Sequence, residues 1–348
     1  MADFEKMVDL ASERLGGAAL WATDEFFAPK ENLLKPGRGT FVPGKYTDNG
    51  KWMDGWESRR RRDGAHDICL IRLALPGRIH GFDIDTNHFL GNAPARVSVE
   101  AVHLPGYRPL DDLLGPGVEW REILPPSPVQ PGSQNLFDLA ALGPFTHLRL
   151  HIYPDGGVAR FRAYGEVTPD WALLTAEHRV LDLAAVEHGG EVIAASDEFF
   201  SDRRNLLIPG GPRYMCDGWE SRRRRGPPGH DWAVVRLGRA GTLVRAEIDT
   251  THFKGNFPES ASLEGCLAPD AGRAPEALEG AAWQELLPRT KLEAHTRHTF
   301  ALRDGGPVSH VRLNIHPDGG VARLRLLGKP EGPANAAPRP TSTEDSGT

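Results

Sequence analysis

The sequence predicts a mainly β chain of two tandem homologous jelly-roll β-sandwich domains, and three observations predict it. A nine-residue block, DGWESRRRR, stands at 54–62 and again, unchanged, at 217–225 of a 348-residue chain. Other short blocks recur around it in the same order. Within each copy apolar and polar residues alternate at a period of two, and Pro and Gly interrupt the alternation every few residues, which favours an antiparallel sandwich over a helical bundle.

The blocks run in parallel from end to end. Asp24-Glu25-Phe26-Phe27 returns as Asp197-Glu198-Phe199-Phe200, and Asn32-Leu33-Leu34 as Asn205-Leu206-Leu207. His66-Asp67 returns as His230-Asp231, and Ile84-Asp85-Thr86 with His88-Phe89 as Ile248-Asp249-Thr250 with His252-Phe253. Gly91-Asn92, Trp120 and the run from Pro154 to Arg160 return as Gly255-Asn256, Trp283 and the run from Pro317 to Arg323. The offset is 173 at the start of each copy and 163 or 164 later, so the first copy carries about ten extra residues around Gly37 to Gly50, read as a loop insertion. A period this long exceeds solenoid repeats, so each copy is expected to be a domain with its own core.

The expected boundaries are 7–167 for the first repeat and 180–328 for the second, with a linker opening at Thr168-Pro169-Asp170. Each domain is expected to open with a short helix stopped by Gly16 or Gly189. Residues 329–348, rich in Pro, Ala, Ser and Thr, read as a disordered tail because they carry too few large apolar groups to offset ordering entropy. Strands are predicted at 68–75, 78–86, 95–103 and 147–153, the last turning through Pro154-Asp155-Gly156-Gly157 into a hairpin partner at 158–164.

Composition excludes several classes. A formal charge of −6 argues against a chain that coats nucleic acid, and no apolar run reaches membrane-spanning length. Cys69, Cys216 and Cys266 fall at non-equivalent places and form no metal-ligand spacing, so unpaired thiols and a cytoplasmic location are expected.

Five polar groups ask for a chemical explanation, because a merely solvated face would be free to drift between the copies. The first is Asp54, Glu57, Arg59 and Arg60, with twins Asp217, Glu220, Arg222 and Arg223: arginine forks suit a carboxylate, and acidic side chains accept from amide N–H groups. The second is His66 with Asp67, twin His230 with Asp231. In the third, Asp83 and Asp85 share a strand face and His88 sits in the following turn, with Asp249 and His252 in the second copy; a carboxylate near such an imidazole would raise its pKa and fix its tautomer. Asn92 and Asn256 form the fourth. The fifth is Asp155 with Arg160, twins Asp318 and Arg323, where a turn alone would account for the Asp-Gly-Gly but not for the arginine. His66, Asp67, Asp85, His88, His151 and Asp155 also supply enough N and O donors to leave a divalent metal open as a cofactor, although no tight ligand spacing occurs.

Taken together, DGWESRRRR followed by His-Asp, the Ile-Asp-Thr-x-His-Phe-x-Gly-Asn stretch and PDGGVAR, all present twice, resemble the allantoicase family over nearly the whole chain. The resemblance implies galactose-binding-like jelly rolls and the hydrolysis of allantoate to ureidoglycolate and urea in purine breakdown. It implies a small-molecule substrate, with no nucleic acid or membrane partner and a homo-oligomer open as the assembly. Allantoate carries a carboxylate and two ureido groups on one carbon. The chemistry expects His66, Asp85 and His88, with His230, Asp249 and His252, to move protons. Asp54, Glu57, Arg59, Arg60, Asn92, Asp155 and Arg160, with their twins Asp217, Glu220, Arg222, Arg223, Asn256, Asp318 and Arg323, are expected to bind substrate. The copies allow either two working sites or one to which both contribute, and the reading leans toward residues of both mattering. The alternatives are a related ureido-acid hydrolase and a non-catalytic jelly roll that binds a small ligand or carbohydrate.

Overall fold

In the computed structural model, which describes residues 3–225 and 228–332, the chain divides into two compact units, each built around one copy of the repeat. Both are antiparallel β-sandwiches. In the first, the two strands expected at 68–75 and 78–86 are one strand, Asp67–Asp85. Its first part pairs with Ala18–Ala22 on one side and with 147–152 on the other. Beyond Gly77 it pairs with Arg160–Val167 and with the early part of Gln134–Tyr153. The register breaks between Arg72 and Gly77, where the strand passes from one layer into the other. Arg96–Val102 extends the first layer between 147–153 and Arg121–Pro128.

Alternation explains the core. Val97, Val99, Ile71, Leu148 and Leu150 from one layer join Phe82, Ile84, Phe161 and Ala163 from the other in one buried cluster, with the Phe82 and Phe161 rings 5.4 Å apart. In the second unit Asp231–Asp249 takes the central role, flanked by Pro307–His316, Arg323–Pro330 and Arg297–Ala301, with Ser260–Cys266 and Gln284–Lys291 outside. Glu13–Leu15 and Val186–His188 are the short opening turns, ended by Gly16 and Gly189 in left-handed conformation.

The predicted hairpin does not form. Residues 147–153 and 160–167 do not pair with each other; they flank different parts of Asp67–Asp85. Gly157-Val158 pairs instead with Trp56-Glu57, and the Ala159 N–H donates to the Asp85 carbonyl, so the segment crosses from one layer to the other. A Cβ on Gly157 would lie 2.0 Å from the Phe89 ring, and Gly156 has φ +132°, so the glycine pair serves this crossing rather than a hairpin turn. Pairing between distant segments outweighed a local turn signal.

Sequence periodicity also missed a helix in the linker, Trp171–Glu177, whose first turn is capped by the Asp170 carboxylate accepting from the Leu173 N–H at 3.0 Å. The loop insertion contains a small ladder, Tyr46-Thr47 against Gly50-Lys51. Of the expected tail, Lys329 and Pro330 instead end the strand Arg323–Pro330, and 333–348 lie outside the described residues. Among the described residues no helix is long and apolar enough to cross a membrane. All three cysteines are free thiols.

Asp83 lies on the central strand, buried, with Gln134 Nε2 donating to its Oδ2 at 2.7 Å. Burial pushes its carboxyl up to about 6, and the charge of Asp85 adds to the rise. A carboxyl that holds its proton more tightly folded than unfolded contributes stability in full below its unfolded pKa and loses it as pH rises through the folded value. Asp83→Asn is therefore expected to flatten the fall in stability between about pH 4 and pH 6, and to leave the protein more stable at pH 7 by on the order of 2 kcal/mol, read by guanidinium denaturation at both ends of that range.

Candidate functional site

Each repeat closes a pocket from its own residues, at corresponding positions. In the first, a cavity of about 380 Å³ is lined by Glu57, Ser58, Arg60, Arg61, Asn92 and Asp155 among others. In the second, a cavity of about 790 Å³ is lined by Glu220, Ser221, Arg223, Arg224, Asn256 and Asp318. Phe27 and Phe200 stand at matching places in the two walls.

Local structure explains how these side chains reach the pocket. Trp56 is fully buried and its Nε1 donates to the Asp24 carbonyl at 2.8 Å; Trp219 does the same to Asp197. In an extended backbone this fixes the next residue, Glu57 or Glu220, on the opposite side. Glu57 is almost wholly buried, and Asn92 Nδ2 donates to its Oε1 at 2.6 Å; Asn256 makes the corresponding bond to Glu220. Burial raises the Glu57 carboxyl above its ordinary range, and the Asn92 bond only partly offsets this.

Several of the predicted binding residues have structural duties. Arg160 is buried and spends its fork on the Asp54 carboxylate at 2.8 Å and the Asp54 and Ala159 carbonyls at 3.0 and 2.7 Å. Arg323 meets Asp217 in the same way at 3.1 Å. Arg59 and Arg222 pair with Asp24 and Asp197 and lie over the Phe26 and Phe199 rings. Arg61 and Arg224 pair with Asp67 and Asp231, and their N–H groups donate to Asp155 and Asp318 at 2.8 Å. Arg60 and Arg223, exposed in the pocket walls, have no side-chain partner among the described residues.

The carboxylate expected to orient His88 does not do so. Asp85 is buried and held by Arg38 Nε and Nη2 at 2.8 and 2.9 Å, an arginine that the loop insertion supplies, and it accepts the Asn87 N–H. His88 sits exposed at φ +70°, its ring 5.8 Å from Phe41. In the second repeat Asp249 accepts the Thr251 N–H and faces Arg297 at 3.6 Å, while His252, at φ +74°, meets the Pro212 carbonyl at 3.1 Å. A histidine tolerates the left-handed region better than most residues, which accounts for its place in both turns.

His66, just before the strand that opens at Asp67, turns away from Asp67, as neighbours in an extended backbone do. Its Nε2 lies 2.9 Å from His151 Nδ1, and His151 Nε2 lies 3.1 Å from Glu100 Oε2. Burial lowers the pKa of both histidines; the Arg61 charge adds to this at His66, while Glu100 opposes it at His151. In the second repeat Asn314 interrupts the series: its Oδ1 is 3.2 Å from His230 Nε2, and its Nδ2 donates to Glu264 at 2.9 Å. Glu100 and Glu264 were missed by the sequence reading, although matching the copies residue by residue would have found them. The candidate metal donors therefore fall into separate networks, Asp67 and Asp155 around Arg61, Asp85 with Arg38, and His66 and His151 with Glu100, while His88 stands apart beside Phe41. Among the described residues no group of three or more His, Cys, Asp or Glu is placed to hold a metal ion.

Comparison with known proteins gives this geometry a family. The allantoicase repeat model matches residues 8–168 and 181–331. A probable allantoicase of Burkholderia pseudomallei is 46% identical over 326 residues, covering 93% of this chain and 95% of that protein. A probable allantoicase of Ralstonia nicotianae is also 46% identical, over 92% of this chain and 94% of its own length. The crystal structure of allantoicase from Saccharomyces cerevisiae superposes with a TM-score of 0.78 at 36% identity, covering 94% of this chain and 96% of that one. With its two matched repeats and its two sandwiches, the chain belongs to the allantoicase family.

Proposed function

We propose that the chain hydrolyses allantoate to ureidoglycolate and urea, and that turnover takes place in the pocket of the first repeat. The reading takes 7–167 and 180–328 as the two domains. Three unpaired cysteines suit a reducing compartment such as the cytoplasm. The observation that carries the reading is Glu57, a buried carboxyl with a raised pKa in a pocket whose wall also holds the unpaired Arg60. Relatives named allantoicase support the substrate.

Arg60 receives the carboxylate of allantoate through its guanidinium fork. Glu57, read from the sequence as a substrate contact, is the proton donor in this scheme. Its proton passes to the nitrogen of the departing ureido group as the bond from that nitrogen to the central carbon breaks. The lone pair of the remaining ureido nitrogen fills the gap, leaving a planar acyl iminium carbon. Water adds there, and the Glu57 carboxylate takes the surplus proton, so the carboxyl is restored and urea leaves neutral. Asn92 holds the Glu57 carboxyl in place throughout.

Turnover of allantoate in oxygen-18 water tests the scheme. The label is expected in the hydroxyl of ureidoglycolate, with urea unlabelled; label in urea or carbon dioxide overturns it. Urea release from ureidoglycolate as fast as from allantoate would instead identify a related ureido-acid hydrolase.

A further inference from the structure

We infer that the pocket of the second repeat is a binding site for a small dicarboxylate, with a selectivity different from that of the first. The inference does not depend on the proposed hydrolysis. The two pockets share one frame, and they differ at three equivalent positions, two in the segment that leads into a strand and one at the end of the neighbouring strand. Where the wall of the first has Ala93 and Ala95, that of the second has Phe257 and Glu259, and Lys291 joins the second wall at the position that Pro128 holds in the first repeat. The register fixes the last correspondence: Arg96 pairs with Pro128 on the neighbouring strand, and Ser260, at the position of Arg96, pairs with Lys291.

The acidic newcomer is ion-paired by Arg289, whereas Lys291 acts on it through charge alone, with no ion pair. Arg289 Nη2 lies 3.0 Å from Glu259 Oε2, its Nε donates to Ser260 Oγ at 2.7 Å, and Ser260 Oγ donates in turn to Glu259 at 2.5 Å. Lys291 is exposed in the same wall with no hydrogen bond or ion pair among the described residues. The cavity of about 790 Å³ thus presents two unpaired cations, Arg223 and Lys291, where that of about 380 Å³ presents Arg60 alone. A ligand with one carboxylate satisfies one of them, whereas a ligand with a carboxylate at each end engages both. Phe257 and Leu292 give the short carbon chain between those ends an apolar wall, which favours a dicarboxylate over an inorganic anion.

Titration calorimetry of the full chain with succinate and with acetate, at matched ionic strength, tests this. Succinate is expected to bind about tenfold or more tightly than acetate, because a second charge-assisted contact is added. Lys291→Ala is expected to remove that advantage, and Lys291→Arg to keep it. The inference is overturned if succinate binds no better than acetate, if Lys291→Ala binds succinate like the unaltered chain, or if Lys291→Arg loses the advantage as alanine does. Urea release plays no part in the readout, so failure here and failure of the hydrolytic scheme are told apart.

Discussion

Glu57→Gln is expected to lower kcat for allantoate by about 10²- to 10⁴-fold, the range in which removing a general acid–base group falls. The change is nearly isosteric, and the Gln carbonyl still accepts from Asn92, so thermal unfolding should stay close to that of the unaltered chain. What is lost is the proton. In the scheme the acid form starts the reaction, so the rate should fall as pH rises through the raised Glu57 pKa, giving a limb above the ordinary carboxylate range. The limb should vanish from the residual activity of the Gln variant. A Gln variant that turns over at the original rate would remove Glu57 from the chemistry. A retained limb with a depressed rate would shift the titration to another group of the first repeat, the hydrogen-bonded His66, His151 and Glu100 series being one candidate.

Much of the architecture was legible because the duplication separates signal from drift. Period-two alternation at 147–153 and 95–103 located real strands, since one face of each had to be buried. Pairing was less legible, because Asp-Gly-Gly chemistry favours a hairpin locally whereas the observed partners of 147–153 and 160–167 are supplied by a strand some eighty residues earlier. The site was legible as a set of residues but not as a set of roles. A side chain kept in both copies is kept equally well for packing or for chemistry. Asp54, Trp56, Arg59 and Arg61 all have buried or ion-paired duties within the fold. Glu57 and Arg60, in the same block, are left facing a cavity. The arginine run reads as a uniform basic patch, yet alternate positions along an extended backbone give its members different partners.

Arg160→Met is expected to destabilise the first repeat by about 3–5 kcal/mol, the cost of leaving one member of a buried ion pair alone. The Arg160 side chain is 5% exposed and that of Asp54 is 10% exposed, so neither charge is well hydrated once its partner goes. Arg160 also satisfies the Asp54 and Ala159 carbonyls, which ties the DGW turn to the segment after Gly157. Asp54 keeps the Thr40 N–H at 2.9 Å, so part of its solvation survives and the lower end of the range is the better expectation. Combining Arg160→Met with Asp54→Asn removes the orphaned charge. The double variant should therefore lose less stability than the two single variants added together, read by guanidinium denaturation as a coupling of at least about 1 kcal/mol. Additive losses would mean that the arginine matters to the fold only through its aliphatic stem. If stability holds while KM for allantoate rises steeply, Arg160 is a substrate contact after all, and Arg60 loses its claim to the carboxylate.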